Sequence, residues 1–291
     1  MEKEPKNFLL IDGNNLLHRC YHASQHLLWE NELKAIFIFL RVLISLLRGN
    51  DYQKLLVVFD STKVNFRHQI YPDYKINRLT TPPKLLKQIN ILQNLLAQSD
   101  VSLIQLVNFE ADDLIASFIA QNKQLHPEWN FVIFSQDKDL MQLLSPQVKI
   151  YKYVQKEILA FTEQDFWQEY NFSPHNYIDY LCLVGDQADN VRGVSGIGPK
   201  TAQQLIQSFG TIEKLYQNSQ HLSPKIQELL IKNQELVFQN KQLITLKSDL
   251  VLPISWEQCD FSWDRWKNNQ NLIEFCQKSE FKSVLKLLSS K

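Results

Sequence analysis

A chain of 291 residues that is 44% hydrophobic can bury a substantial core, which argues against disorder and allows one large α/β domain or such a domain with a helical extension. Its 31 basic and 31 acidic residues give a formal charge of zero, which on its face argues against a nucleic-acid binder, although the charges are segregated along the chain. Cys20, Cys182, Cys259 and Cys276 lack paired metal spacing and read as buried thiols of a reducing compartment, and the longest apolar stretch, Ala35 to Leu47, is broken by Arg41 and too short for a bilayer, so a cytoplasmic protein is expected.

Phe8 to Ile11 is a short apolar run ending at Asp12-Gly13-Asn14-Asn15, the pattern of a buried strand that feeds a turn and a helix through Leu16 and Leu17. Asp12 falls at the strand's carboxyl end, where open α/β sheets bind ligands, but an Asp there serves equally as a helix cap. A helix from about Glu32 to Leu47 follows. Leu55 to Phe59 is a second apolar strand, and it too ends in an acid, Asp60.

Ser61 to Thr81 interrupts this pattern, with little apolar periodicity and with aromatics interleaved among cations: Phe66, Arg67, His68, Tyr71, Tyr74, Lys75, Arg78. From Thr62 to Lys87, the cations Lys63, Arg67, Lys75, Arg78, Lys84 and Lys87 meet only one acid, Asp73. Cations that neutralise phosphates and aromatic faces that stack on bases are the two components of single-strand binding, though such a charge run also describes a solvated loop.

Pro82 and Pro83 open a helix through Leu96, and Val101 to Val107 is a short strand. Glu110, Asp112 and Asp113 then stand at the start of a helix running to about Gln124, where acids are favoured by the helix dipole whatever else they do. Phe131 to Phe134 is a further strand delivering Asp137 and Asp139 ahead of another helix, and Val148 to Val154 closes the sheet. The alternation of strand and helix predicts a mainly parallel, three-layer core. After Thr162, a helix cap, the chain is expected to stay helical: Thr162 to Tyr170, Pro174 to Val184, Ile212 to Gln217, Pro224 to Gln239 and Ile273 to Leu288, with the tryptophans between 250 and 266 packing the tail back.

Leu183 to Gly210, LVGDQADNVRGVSGIGPKTAQQLIQSFG, joins two acids, Asp186 and Asp189, to a glycine-rich turn. Gly193, Gly196 and Gly198 would let backbone N–H groups face a phosphate, with Lys200 and Thr201 at the positive end of the helix opened by Pro199. The absence of Gly before Lys200, and of a strand before the turn, excludes a P-loop. The glycines alone also fit an ordinary helical hairpin. If the acids converge, two unit charges at 4 Å repel by about 4 kcal/mol at an effective dielectric near 20, so cations must compensate; all-oxygen ligands favour Mg²⁺ or Mn²⁺, and two such ions suit phosphodiester hydrolysis.

FLLIDGNNLLHRCYHA, LLVVFDSTKVNFRHQIYPDYKINR, FEADDLIAS, SQDKDLMQLL and VGDQADNVRGVSGIGPKTA resemble, in order and spacing, the 5′-nuclease domain of bacterial DNA polymerase I, grouped with the phage 5′-exonucleases and flap endonucleases. The resemblance implies a PIN-like α/β nuclease core at residues 1–172 with a helical arch inserted at about 61–85, and a helical DNA-binding region at 173–291 with a helix-three-turn-helix hairpin at 183–210. It also implies a first metal served mainly by Asp12, Asp60, Glu110 and Asp112 with Asp113 nearby, and a second by Asp137, Asp139, Asp186 and Asp189. Asp12, Asp112 and Asp137 then carry catalysis together with Lys75 and Arg78 at the base of the arch. Arg67, Tyr74, Lys75 and Arg78 would contact a single-stranded 5′ end, while Gly193, Gly196, Gly198, Lys200 and Thr201 grip duplex backbone, with K⁺ at the hairpin. The expected activity is metal-dependent 5′→3′ exonuclease and 5′-flap endonuclease, serving primer removal and repair in the nucleoid beside a separate polymerase and ligase. The alternatives are a PIN-type ribonuclease and a catalytically silent, structure-specific DNA-binding protein.

Overall fold

The computed structural model describes residues 6–61, 64–154 and 157–290. Its centre is a six-stranded sheet in the order β3-β2-β1-β4-β5-β6. In chain order the first half comprises β1 (Lys6–Asp12), α1 (Gly13–Ser24), α2 (Lys34–Leu47), β2 (Tyr52–Val58), the four-residue α3 (Arg67–Ile70), α4 (Pro83–Gln98), β3 (Ser102–Ile104), α5 (Ala111–Asn122), β4 (Trp129–Phe134), β5 (Val148–Val154) and β6 (Glu157–Phe161). β1 to β5 pair in parallel, as the alternation of elements requires, so their carboxyl ends share one edge. β6 pairs antiparallel with β5 and forms the outer strand, so β5 does not close the sheet. Its five residues alternate too little to have been read from the sequence.

Successive strand residues face opposite layers. Leu9, Ile11, Leu55 and Val57 pack with α1, α2 and α4 on one side; Phe8, Leu10, Leu56 and Val58 pack with α5 and the helical half on the other. The start of α2 has no side-chain cap of its own; Gln88 on α4 supplies it, its Oε1 accepting from the Ala35 N–H at 3.1 Å.

Three segments differ from expectation. The strand predicted over residues 101–107 is only three residues long, because the chain turns at Asn108, which is left-handed at φ +72°. The helix predicted after Asp139 is a single 3₁₀ stretch, Asp139–Leu143, ended by the approach of Pro146, which disfavours helix at the preceding residue. Among the described residues, the excursion 64–82 holds α3 and a series of turns; no long helical arch forms there, in keeping with its weak apolar periodicity, and Thr62 and Lys63 lie outside the described residues.

The second half is helical: α6 (Glu163–Tyr170), capped by Thr162 as expected, α7 (Tyr177–Val184), a two-stranded ribbon of β7 (Gly185–Asp186) and β8 (Val191–Arg192), α8 (Pro199–Phe209), α9 (Ile212–Gln217), α10 (Pro224–Lys232), α11 (Gln234–Ile244), α12 (Trp263–Lys267), α13 (Gln270–Lys278) and α14 (Lys282–Ser289). Asn233 divides the helix expected over 224–239, and left-handed Glu280 divides the last one. The tail does pack back. Trp256 lies flat on His126 at 3.8 Å between ring centres and meets Trp129 edge-on, while Lys54 on β2 donates to Trp256 O at 2.8 Å and pairs with Asp260. No helix among the described residues is long and apolar enough to cross a membrane.

Candidate active site

β1, β2 and β4 each hand over a carboxylate at the common edge, and the loop after β3 leads to three more. Asp12 ends β1 and caps α1, accepting from the Asn15 N–H at 2.9 Å, so the cap and the site are roles of one side chain. Asp60 follows β2 and accepts from the Ala111 N–H at 2.7 Å, the first turn of α5, which itself presents Glu110, Asp112 and Asp113. Past β4, Ser135 Oγ donates to Asp12 at 2.9 Å and accepts from the Asp137 N–H, and Asp137 in turn accepts from the Asp139 N–H. This hydroxyl, which ties two acidic loops together, escaped the sequence reading; its signal is the SxDxD spacing.

Asp186 and Asp189 come from the other half, on the ribbon β7–β8. The ribbon turns so tightly that a Cβ on Gly193 would stand 2.3 Å from Val184 O and one on Gly185 2.4 Å from Gly193 N. Gly193 is therefore required by the chain's own crossing, and Gly185, at φ +77°, is an equally necessary partner that the sequence did not flag. Gly196 is left-handed at φ +93°, and Gly198 caps α8 facing open space, with Lys200 exposed beside it and Thr201 partly so.

Carboxylate oxygens of Glu110, Asp112 and Asp113 lie within 4.8 Å of one another, as do those of Asp139, Asp186 and Asp189. Tyr74 and Lys75 bridge the two groups. Tyr74 OH donates to Asp189 at 2.7 Å and stands 3.1 Å from a Glu110 carboxylate oxygen; Lys75 Nζ pairs with Glu110 and stands 3.4 Å from Asp189, and Arg78 reaches Asp189 at 2.5 Å. Tyr74 is 3% exposed, so its ring has no free face for a base, contrary to its expected stacking role. Lys75 holds its position with φ at +56°, a left-handed conformation that a long side chain adopts at a cost of about 1–3 kcal/mol.

Arg67 also departs from expectation. It is 1% exposed, its fork holds both oxygens of Asp113 at 2.7 Å, and its Nε donates to Leu243 O. Asp113 accepts further from the Lys247 and Glu110 N–H groups, so its lone pairs are taken and it is a weak candidate for a metal. Arg67 and Asp113 form a buried strut, and Arg67 is corrected from the nucleic-acid set.

The remaining acids repel their own ionisation. Burial, then Asp60 and Asp137, push Asp12 up to about 7 against the pull of Asn15 and Ser135. Burial likewise raises Asp60, Asp112, Asp139 and Asp186, reinforced by Glu110 and Asp113 at Asp112, by Asp137 at Asp139 and by Asp189 at Asp186. Asp189 is the exception: burial would raise it, but Lys75, Arg78 and the Tyr74 hydroxyl hold it below the usual range. A buried set of oxygen donors with too few cations, and with no His or Cys in either group, fits hard divalent ions.

Residues 7–171 match the family described as 5′-3′ exonuclease, N-terminal resolvase-like domain, and residues 172–268 match 5′-3′ exonuclease, C-terminal SAM fold. The chain belongs to the 5′-3′ exonuclease family. It is 31% identical to the 5′-3′ exonuclease of Mycoplasma genitalium, covering 98% of this chain and 99% of that one. It is also 31% identical to the thermostable DNA polymerase I of Thermus aquaticus, over 97% of this chain but 33% of the polymerase, so it spans about a third of the polymerase relatives it matches. Among solved structures it is similar to the T5 D15 protein co-crystallised with metal ions, at TM-score 0.71 and 21% identity over 98% of this chain and all of that one, and to flap endonuclease-1 from Methanococcus jannaschii, at 0.64 and 17% over 98% and 91%. These two show the fold.

For this member of the 5′-3′ exonuclease family, Asp12 binds a proton in the folded protein that the unfolded chain has already released between about pH 4 and pH 7. The stability from that proton is present at low pH and lost as pH rises through 7. Asp12→Asn, which can still cap α1, is expected to raise the melting temperature in EDTA at pH 8 by about 2–4 °C or more, with the gain shrinking at pH 5.5. A gain equal at both pH values in calorimetry would rule out this origin. Arg67→Met strands the Asp113 charge and is expected to cost about 3–5 kcal/mol in urea unfolding, largely recovered in Arg67→Met/Asp113→Leu. Weaker DNA binding at unchanged stability would return Arg67 to the nucleic-acid path.

Proposed function

We propose that the chain is a divalent-metal-dependent 5′→3′ exonuclease and structure-specific 5′-flap endonuclease on DNA, acting in the cytoplasm in primer removal and repair beside a separate polymerase and ligase. The observation that supports it most is the meeting of Asp12, Asp60, Glu110, Asp112, Asp137 and Asp139 at one sheet edge with Asp186 and Asp189 from the ribbon beside it, and with Lys75 and Arg78 among them. Asp12, Asp60, Glu110 and Asp112 would serve one Mg²⁺ or Mn²⁺, and Asp137, Asp139, Asp186 and Asp189 a second. Two such ions supply an activated water and charge for the leaving oxygen.

The chain's own residues set the rest. Burial opposes the charge on Lys75, but Glu110 and Asp189 outweigh it and keep the ammonium protonated, so Lys75 is a donor to phosphate and not a base. Arg78 is half-exposed and reaches from the same turn. The α8 amino end, with Pro199 in its first turn and Lys200 exposed, would contact duplex backbone from which the 5′ strand emerges, and carbonyls of that hairpin would hold K⁺.

The test is cleavage of a 5′-labelled flap with Mg²⁺ and with EDTA, reading product length. Asp112→Ala and Asp137→Ala are expected to abolish turnover while DNA binding in Ca²⁺ stays intact or tightens, since a repulsive charge near phosphate is gone. Cleavage that survives EDTA, or preference for free single-stranded RNA over the flap, would overturn the reading. Lys75→Ala should slow single-turnover cleavage by about 10²-fold or more at nearly unchanged affinity, the mark of an interaction made with charge developing in the transition state. Lys200→Ala should instead raise the dissociation constant and reduce its salt slope by about one phosphate contact. The reverse pattern would exchange the roles of the two lysines.

A further inference from the structure

Two kinds of contact hold Lys75 over the carboxylates. The first is ionic and uses Glu110 and Asp189, as do Arg78 and Tyr74. The second uses no carboxylate. The Lys75 N–H donates to Asp189 O at 3.0 Å, Asn190 Nδ2 donates to Asp73 O at 2.8 Å, and Asn77 Nδ2 donates to Asn190 Oδ1 at 3.1 Å. One planar amide on the β7–β8 turn thus bonds the chain on both sides of Lys75. Asn190 is itself left-handed at φ +58°, a conformation that a short polar side chain tolerates well, and Lys75, opposite it, is left-handed without that advantage.

The two kinds of contact respond differently to divalent ions. Oxygens of Glu110 and Asp189 given to a metal are no longer fully available to Lys75 and Arg78. The Asn190 amide competes with no metal, because its partners are a carbonyl and another amide. We propose that Asn190, paired with Asn77, is a positioning residue that clips the 73–78 turn onto the β7–β8 turn and keeps Lys75 and Arg78 at the reacting phosphate once the carboxylates are engaged. The inference rests on the reading of Lys75 and Arg78 given above. Asparagine suits the post because it offers donor and acceptor on one group; aspartate lacks the donor that Asp73 O requires, and glycine lacks both.

The experiment combines saturating single-turnover cleavage of a 5′ flap in Mg²⁺, flap affinity in Ca²⁺, and hydrogen exchange of the 73–78 amides with Ca²⁺ and no DNA. Asn190→Gly, which keeps the backbone conformation, is expected to slow cleavage by about tenfold, the weight of two solvent-exposed hydrogen bonds, at nearly unchanged affinity and with faster exchange in 73–78. Asn77→Ala, which removes one bond and leaves the ribbon's own residues unchanged, should slow it by about threefold. In a Lys75→Ala/Arg78→Ala background, Asn190→Gly should have no further effect on rate. The same tenfold loss in that background would mean that Asn190 acts on Asp186 and Asp189 instead, and unchanged exchange and rate in both single variants would mean there is no clip. Full-rate cleavage by Lys75→Ala/Arg78→Ala would overturn the kinetic role by removing the reading beneath it, and is told apart from failure of the clip because exchange in 73–78 is read independently of cleavage.

Discussion

Like charges forced to share one buried edge are the constraint on which the rest of this structure depends. Asp12, Asp112, Asp113 and Asp189 are each less than a tenth exposed, and a pair of such charges at contact distance repels by about 4 kcal/mol even at an effective dielectric near 20. The chain relieves only part of this. Arg67 neutralises Asp113, and Lys75 and Arg78 draw Asp189 down, while Asp12, Asp60, Asp112, Asp139 and Asp186 are left pushed toward protonation. A fold selected for stability alone would not keep them. Keeping them beside one another is a cost relieved by protonation or by bound cations, the usual trade between stability and an active site.

The edge exists because parallel pairing sends every carboxyl end the same way, and the packing of the two halves completes it. Asp186 and Asp189 belong to the helical half, the other acids to the sheet half. Between the halves run Arg67 to Leu243 O, the Lys247 N–H to Asp113, and Gln142 to the Ile244 carbonyl and the Leu246 N–H. The strut Arg67–Asp113 is thus also a dock for the end of α11. The neutralisation of one acid and the seating of the second group of acids are a single arrangement.

Much of this was legible because local signals agreed with the global outcome. Each apolar run followed by an acid proved to be a strand ending at the common edge, and Asp12 caps α1 while lying beside Asp60 and Asp137, so the two readings of its position are compatible. What was illegible depended on partners distant in the chain. Arg67 and Tyr74 sit in a basic, aromatic stretch that reads as a nucleic-acid track, yet Asp113 and Asp189, far along the sequence, draw them inward. The same holds for Gly193, whose need for a bare Cα comes from the carbonyl of Val184. Composition shows that such residues are unusual; only tertiary contact shows which surface they face.

The base of the basic excursion is anchored by two independent sets of bonds. Lys75, Arg78 and Tyr74 converge on Asp189, and backbone and amide bonds from the β7–β8 turn hold the same residues without drawing on charge. That turn is in turn rigid because Gly185 and Gly193 cross within contact distance and because Asn240 on α11 donates to both Cys182 O and Arg192 O, stitching the ribbon to the helix behind it. Asp186 and Asp189 and the cations that face them therefore share one set of supports. The root of the excursion is thus fixed twice over, by charge at Asp189 and by uncharged bonds to the turn beside it.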